Sequence, residues 1–206
     1  MIDRQFTIKG ATILVWEITE NEADLEKLLT NLDSYKSDLE KLTSSKRRLE
    51  FLTSRITINT LLNKNVNVLY DSNGKPLLEN ELSYISISHS KNWVAVIHHP
   101  TRQVGIDIEF PTVRINKIAH RFLNQAEQES FSDEEQKKEI QLIWSAKEAL
   151  YKIIGSEVAD FANQLTVLPF KVQKEGTFTA LQHTNVSIFE MHYIVSEHFN
   201  LVFCIA

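Results

Sequence analysis

The sequence predicts an α+β protein in two lobes, each combining helices with a mainly antiparallel sheet. Capping-box spacings followed by hydrophobic residues at helical intervals predict the helices. Short polar links between apolar segments predict antiparallel strands. Phe110 and Pro111 interrupt both patterns, so we place the boundary there, with an N-terminal lobe over 1–111 and a C-terminal lobe over 112–206.

The N-terminal lobe is predicted to contain two helices. Thr19 and Glu22 have the spacing of a capping box, and leucines at helical intervals follow them. A second helix over about 45–62 is predicted because its leucines and isoleucines recur at the same intervals. The segment Asp71–Gly74 is a strong turn signal. Strands are predicted at 12–16, 66–70, 82–88, 93–98 and 103–109, and the short links between the last three predict one antiparallel meander.

The C-terminal lobe begins with helical segments at about 113–122 and 127–131. A long helix over 133–154 is predicted because Ser132 and Glu135 form a second capping box and Gly155 suits the residue after a helix end. The remaining segments alternate short apolar runs with polar links. They predict strands at 165–170, 178–181, 186–195 and 201–205.

The composition excludes several classes of protein. With 43% hydrophobic and 24% charged residues, the chain of 206 residues is globular, not disordered. The formal net charge of −5 disfavours nucleic acid and anionic membranes as partners. The 5 glycines include neither a dinucleotide turn nor a phosphate loop, and the lone Cys204 excludes an internal disulfide. No apolar run is long enough to span a membrane, so we expect a cytoplasmic protein.

Two carboxylates occur in the segment Val104–Glu109. In a strand, Asp107 and Glu109 lie on one face, about 7 Å apart, because side chains alternate and the rise is about 3.3 Å per residue. That separation allows both to serve one divalent cation, directly or through a water. The alternative is an amphipathic strand with a solvated acidic face.

A second group of charged residues occurs in the segment 144–152. Helical spacing places Trp144, Glu148 and Lys152 on one face, with Lys147 beside Glu148. One interpretation is a third carboxylate for the metal, flanked by two amines that neutralise phosphate. The other is an exposed pair of Glu148 and Lys152 that stabilises the helix by a few tenths of a kcal/mol.

Basic residues of the N-terminal lobe form a candidate anion site. Arg47, Arg48 and Arg55 share roughly one side of the second helix, and guanidinium groups suit bidentate phosphate contacts. Lys75 follows the predicted turn, and His89 ends a predicted strand. The alternatives are a solvated basic helix edge and an ordinary surface histidine.

The motifs together resemble one known family. VGIDIE at 104–109 and WSAKEALYK at 144–152 resemble the two-motif signature of the 4′-phosphopantetheinyl transferases. The order and spacing of three upstream segments resemble the longer, monomeric, surfactin-synthetase-activating type of this family. These segments are KRRLEFLTSR at 46–55, NGKP at 73–76 and ISHSKNW at 87–93.

This resemblance implies a fold and a reaction. The implied fold is two similar lobes related by pseudo-twofold symmetry, with the active site between them. The implied reaction transfers the 4′-phosphopantetheine arm of coenzyme A to a serine of an apo acyl or peptidyl carrier protein. It requires Mg²⁺ and releases adenosine 3′,5′-bisphosphate. The carrier can belong to fatty-acid, polyketide or nonribosomal peptide synthesis.

The resemblance also implies residue roles. Asp107, Glu109 and Glu148 would hold Mg²⁺ against the pyrophosphate of the coenzyme. Lys152 would stabilise charge on the leaving phosphate, and Glu148 would accept the serine proton, directly or through a metal-bound water. Glu127 lies where the family often has a further acidic residue. The residues implied to bind the coenzyme are Arg47, Arg55, Lys75, Ser88, His89, Lys147 and Lys152, with Arg48 as the alternative to Arg47.

Two other functions use similar residues. A Mg²⁺-dependent nuclease or phosphodiesterase also combines strand carboxylates with a glutamate and a lysine, but the net charge of −5 and the lack of an extended basic face disfavour it. A relative that binds a carrier protein without catalysis would not need Asp107, Glu109, Glu148 and Lys152 all intact.

Overall fold

Two compact units divide the chain at residues 103 and 104. The computed structural model describes residues 1–112, 114–131 and 137–206, without the side chain of Lys137. The units comprise Met1–Gln103 and Val104–Ala206. The predicted lobe boundary followed Pro111, whereas this division assigns Val104–Glu109 to the second unit, because that strand pairs with residues 200–205.

The first unit is built on a four-stranded antiparallel sheet, with strand order β1-β2-β6-β5, and a separate hairpin of β3 and β4. A 3-10 helix spans Leu32–Tyr35. The strands are β1 (Ile2–Ile8), β2 (Ala11–Glu17), β3 (Val68–Tyr70), β4 (Pro76–Leu78), β5 (Tyr84–Ser90) and β6 (Trp93–His99). The helices are α1 (Glu22–Leu28), α2 (Lys36–Lys41) and α3 (Ser45–Leu62).

Helix α3 covers the sheet of the first unit at β2 and β6. Its buried Leu52 and Ile56 pack in one apolar cluster with Leu14 and Trp16. The helix ends at Asn63, which adopts a left-handed conformation with φ of 51° and donates its backbone N–H to Thr60 O and Asn59 O. The predicted helix over 45–62 is therefore confirmed. The predicted cap at Thr19 is wrong, because the side chain of Asn21 caps α1 instead.

The second unit is a five-stranded antiparallel sheet with strand order β7-β11-β10-β9-β8. Among the described residues of this unit, Arg114–Arg121 and Gly155–Glu157 form 3-10 helices. The strands are β7 (Val104–Glu109), β8 (Leu165–Val167), β9 (Glu175–Gln182), β10 (Ser187–Val195) and β11 (Asn200–Ile205). The helices are α4 (Gln125–Ser130), α5 (Lys137–Ile154) and α6 (Phe161–Gln164).

The predicted α+β class, with antiparallel sheets packed against helices, is confirmed. The predicted three-stranded meander is wrong for its last strand. β6 already pairs with β5 on one side and β2 on the other, so no edge of β6 is open to β7, which pairs with β11. The long helix of the second unit ends before Gly155, as predicted, but Ser132, Asp133 and Glu135 lie outside the described residues.

The described part of the chain contains no helix long and apolar enough to cross a membrane.

Helix α5 packs on β7 and β11 with unusually close backbone approach at Gly105. A Cβ atom added to Gly105 would lie 2.0 Å from the carbonyl oxygen of Ala149 and 3.0 Å from the side chain of Ile153. Only a residue without a side chain allows this contact between strand and helix. The glycine of VGIDIE thus sets the distance between the strand and the helix that carry the two sequence motifs.

Replacing Gly105 with alanine is expected to lower the free energy of unfolding by about 1–3 kcal/mol, because the strand or helix backbone must shift. Urea unfolding monitored by circular dichroism measures the change. The matched control is Gly74→Asn, at a turn with φ of 79° and open space around the Cβ position, which asparagine tolerates. Equal stability of Gly105→Ala and the wild type would contradict the packing described here.

Candidate functional site

Asp107 and Glu109 of strand β7 are more buried than a solvated acidic face requires. Asp107 is buried, with 5% of its surface exposed, whereas Glu109 at the strand end is half-buried. The neighbouring Ile106 and Ile108 are fully buried. Burying a carboxylate is costly unless charged or polar groups face it. The interpretation of this segment as an ordinary amphipathic strand is therefore wrong for Asp107.

Lys152 of α5 supplies a charged partner for Asp107. Its Nζ donates to Asp107 Oδ1 at 3.1 Å and to the carbonyl oxygen of Ile106 at 2.7 Å. The side chain keeps 26% of its surface exposed, so Lys152 is only partly buried. The alternative in which Lys152 only pairs with Glu148 on an exposed helix face is excluded by these contacts with the strand.

Glu148 lies one turn before Lys152 and is half-buried. Burial raises the pKa of Glu148, and the charges of Asp107 and Glu109 raise it further, while Lys152 lowers it. The three carboxyl groups named from the sequence are therefore close enough to interact electrostatically. A carboxyl group with a raised pKa beside two carboxylates is typical of a site that accepts a proton or a cation.

The fit of a divalent cation to these residues rests on donor chemistry and charge. All three side chains offer carboxylate oxygens, which hard cations such as Mg²⁺ prefer, and a cation would be attracted by the charges that, together with burial, raise the pKa of Glu148. Among the residues that the structure describes, no three His, Cys, Asp or Glu side chains converge into a ready coordination shell. The donor types fit a magnesium ion, while the side chains are not arranged as its ligands here.

Lys147 has a different environment from the one predicted. It is fully buried, and its Nζ donates to Glu127 Oε2 at 2.7 Å and to the carbonyl oxygens of Phe122, Phe161 and Leu165 at 2.6, 3.2 and 2.9 Å. A phosphate cannot reach an amine with no exposed surface. The assignment of Lys147 as a coenzyme ligand is therefore corrected: it forms a buried ion pair with Glu127.

In the first unit, Glu50 gathers three basic side chains. The carboxylate is buried, and its oxygens lie 3.5 Å from Lys46 Nζ, 3.4 Å from Arg47 Nη1 and 3.5 Å from His89 Nδ1. Arg47 keeps 63% of its side-chain surface exposed and His89 keeps 36%. The structure thus brings together two predicted phosphate ligands, from α3 and β5. We call Lys46, Arg47, Glu50 and His89 the basic cluster.

Arg48 and Arg55 have structural contacts instead. The guanidinium of Arg48 bonds to Glu22 of α1 and donates to the carbonyl oxygen of Leu39 in α2. Arg47 is the more exposed of the two arginines, and its assignment as a coenzyme ligand stays a prediction.

Arg55 is buried, with 4% exposure, and its Cζ lies 3.6 Å from the ring centroid of Phe51. It also donates to Ser54 Oγ and to the hydroxyl of Tyr70. This aromatic packing makes Arg55 a core residue, so its assignment as a coenzyme ligand is corrected.

The remaining predicted ligands lie in the first unit. Ser88 is buried in β5, one residue before His89. Lys75 is half-buried and closes the turn that begins at Asp71, whose Oδ1 accepts hydrogen bonds from the backbone N–H groups of Asn73 and Lys75. Their assignment as coenzyme ligands stays a prediction.

Two acidic residues, Glu50 and Glu127, were assigned no role from the sequence. Glu50 is the single acidic residue in KRRLEFLTSR, which is the signal that could have identified it as the anion of the basic cluster. Glu127 has capping-box spacing with Asn124, and both hydrogen bonds of that box are present.

Comparison with known proteins identifies the family of the chain. A family model described as the 4′-phosphopantetheinyl transferase superfamily matches residues 103–204, which include both β7 and α5. The second unit of the chain therefore belongs to this superfamily. The two motifs of the superfamily therefore correspond to the strand and helix that meet at Gly105 and Ala149.

Two curated proteins of the same superfamily are similar to this chain. "4′-phosphopantetheinyl transferase HetI" of Nostoc sp. strain PCC 7120 is 35% identical over 99 residues, 44% of this chain and 42% of that protein. "Putative 4′-phosphopantetheinyl transferase slr0495" of Synechocystis sp. strain PCC 6803 is 28% identical over 130 residues, 56% of this chain and 53% of that protein. The chain spans about half the length of these curated relatives. The longer monomeric subtype stays a prediction.

The electrostatic position of Glu148 gives a test by pH. A carboxyl group with a raised pKa in the folded state binds its proton more tightly there than in the unfolded state, so stability falls as pH rises above its ordinary value of 4.5. We therefore expect Glu148→Gln, in buffer with EDTA, to be more stable than the wild type near pH 7. The difference should shrink below pH 4.5. Urea unfolding across this pH range measures it, and a difference independent of pH would contradict the raised pKa of Glu148.

Proposed function

We propose that the protein transfers the 4′-phosphopantetheine arm of coenzyme A to a serine hydroxyl of an apo acyl or peptidyl carrier protein. In this reaction the serine oxygen forms a bond to the phosphorus of the arm. The phosphorus–oxygen bond to the leaving group breaks, and adenosine 3′,5′-bisphosphate departs. One observation carries the proposal: Lys152 and Glu148 of the helix motif interact with Asp107 of the strand motif, within the segment that matches the superfamily.

Asp107, Glu109 and Glu148 are the residues proposed to hold Mg²⁺. When bound, the ion would neutralise pyrophosphate charge and polarise the phosphorus–oxygen bonds. The all-oxygen donor set and the mutual repulsion felt by Glu148 support this assignment. Lys152, already beside Asp107, is placed to share the same substrate charge.

Glu148 is the proposed acceptor of the serine proton. Burial, the largest cause of its raised pKa, brings the carboxyl group closer to the range in which a general base works at neutral pH. Lys152 is the proposed cation for charge that develops on the leaving phosphate, because its side chain is partly buried and its ammonium donates to two oxygen acceptors. Phosphoryl-type transfer depends mainly on such positioning and charge neutralisation.

The basic cluster is the proposed contact for phosphate groups of the coenzyme. Three basic side chains surround one buried carboxylate, so the cluster keeps net positive charge even with Glu50 ionised. Arg47 supplies an exposed guanidinium, which suits bidentate phosphate binding. Glu50 holds Lys46, Arg47 and His89 near one another before a ligand arrives.

The two adjacent arginines of α3 form a matched pair for testing this assignment. Arg47→Ala should weaken coenzyme A binding about tenfold, which corresponds to a loss of about 1.4 kcal/mol, with little change in melting temperature. Arg48→Ala should have the opposite profile, because it removes the contacts to Glu22 and Leu39 and costs about 1–2 kcal/mol of stability. Calorimetric titration and thermal unfolding measure the two effects. Equal loss of coenzyme affinity in both folded variants would contradict the assignment of Arg47.

Intact-protein mass spectrometry of an apo carrier protein tests the transfer itself. After incubation with the protein, coenzyme A and Mg²⁺, the carrier should gain one phosphopantetheine, and EDTA should abolish the gain. Asp107→Asn should lower the transfer rate by roughly two orders of magnitude. Asp38→Asn, which changes an exposed aspartate of α2, should retain it.

The possible results separate the functions. Absence of transfer to fatty-acid, polyketide and peptide carriers, together with absence of coenzyme binding, would overturn the proposed function. Retained transfer by Asp107→Asn would instead leave the reaction in place and contradict the metal assignment. Cleavage of a nucleic-acid substrate in place of transfer would indicate the phosphodiesterase alternative.

A further inference from the structure

The buried ion pair of Lys147 and Glu127 joins several segments of the second unit. Lys147 lies in α5, and its amine reaches the carboxylate of Glu127 in α4 and the carbonyl oxygens of Phe122, Phe161 and Leu165. Glu127 in turn accepts hydrogen bonds from the backbone N–H groups of Asn124 and Val167. One amine thus connects α5 to the end of a 3-10 helix, to α4, to α6 and to the start of β8.

The number of acceptors indicates the protonated form of Lys147. Four oxygen atoms lie within 3.2 Å of its Nζ, and only the ammonium form has three protons to donate. Burial lowers the pKa of Lys147, while the charge and hydrogen bond of Glu127 raise it. Both side chains are nearly free of solvent contact, with exposures of 0% and 1%. Neither group has a role in the proposed transfer.

Stability alone is a weak reason for this pair. Taking two charges out of water costs several kcal/mol per ion, and well-packed apolar side chains of similar volume are often as stable. The surroundings are apolar, since Phe122, Leu142, Ala146 and Leu165 belong to the same buried cluster. The ion pair adds a geometric constraint to such a cluster. Apolar contacts tolerate small shifts of a helix along its axis, whereas oriented hydrogen bonds do not.

The position of the pair on α5 relates it to the reacting residues. Successive helical residues are about 100° apart, so Lys147 and Ala149 point to opposite sides of the helix. Ala149 contacts Gly105 of β7, and Lys147 is held by the four oxygens described above. Glu148 lies between these two fixed sides, and Lys152 shares its face one turn later. Fixing both sides fixes where Glu148 and Lys152 meet Asp107.

We propose that the Lys147–Glu127 pair is a positioning device that sets the register of α5, and thereby places Glu148 and Lys152 against β7. The inference rests on the proposed transferase function for its catalytic consequence. Lys147 and Glu127 are buried, so we assign them no contact with substrate or metal. Misplacement of reacting groups by about 1 Å can cost about 100-fold in rate, so a small shift of α5 is sufficient to be seen in turnover.

The test removes both charges together, so that no unpaired buried ion remains. The variant is Lys147→Met with Glu127→Gln. The matched control is Phe178→Leu, which loosens the aromatic stack of Phe170, Phe178 and Tyr193 without changing a residue of α5 or of the pair. Both are assayed at a temperature well below their melting points. The measurements are kcat, KM for coenzyme A, and hydrogen–deuterium exchange of the peptide covering 144–152.

We expect the double variant to fold, to lose about 10- to 100-fold in kcat with an unchanged KM for coenzyme A, and to exchange faster over 144–152. Phe178→Leu should keep the wild-type kcat and the wild-type exchange of that peptide. Wild-type kcat in the double variant would overturn the inference, and so would a lower kcat with unchanged exchange. If the wild type transfers nothing, the proposed function fails, and exchange over 144–152 alone decides the inference: faster exchange supports it and unchanged exchange overturns it.

Discussion

The contact of Gly105 with Ala149 is the constraint on which the site of the second unit depends. A strand and a helix that touch through their backbones cannot be moved apart or together without disturbing the sheet or the helix. Side chains that flank the contact are then held at short range. Asp107 follows Gly105 by two residues in β7, and Glu148 precedes Ala149 by one in α5. The proximity of Asp107 and Glu148 is therefore a result of backbone packing.

The two units contain charge clusters of opposite sign. In the second unit three carboxyl groups lie near one ammonium, and burial together with the charges of Asp107 and Glu109 raises the pKa of Glu148. In the first unit three basic groups surround one buried carboxylate. Clusters of like charge attract ligands of opposite charge. A metal cation suits the carboxyl groups of the second unit, and a phosphate suits the basic groups of the first unit.

Local spacing identified candidate residues. Alternation in VGIDIE and steps of four in WSAKEALYK selected Asp107, Glu109, Glu148 and Lys152 as candidates, and the family resemblance supplied their predicted roles. The patterns failed where burial decides the outcome. Lys147 and Arg55 are charged residues in basic or mixed-charge segments, and nothing local shows that carbonyl oxygens or aromatic rings will enclose them.

Strand pairing was the other failure. Short links between 82 and 109 predicted a meander, but the prediction took no account of β2, which occupies the edge of β6. Similarly, β1 and β4 were not predicted, because Ile2–Ile8 is mostly exposed and Pro76–Leu78 has three residues. Long-range competition for a strand edge is not encoded within a window of ten residues, whereas helix caps and turns are.

The pairing of β7 with β11 affects the order in which the molecule forms. Glu109 pairs with Asn200 and Val104 with Ile205, so the acidic strand gains its hydrogen-bonded neighbour from a segment far along the chain. Closing so large a loop is entropically costly, and contacts of this kind form slowly. During synthesis the first unit has all of its strands by His99, whereas β7 must wait for β11 to leave the ribosome. The acidic strand is therefore among the first parts of the second unit to be made and among the last to be completed.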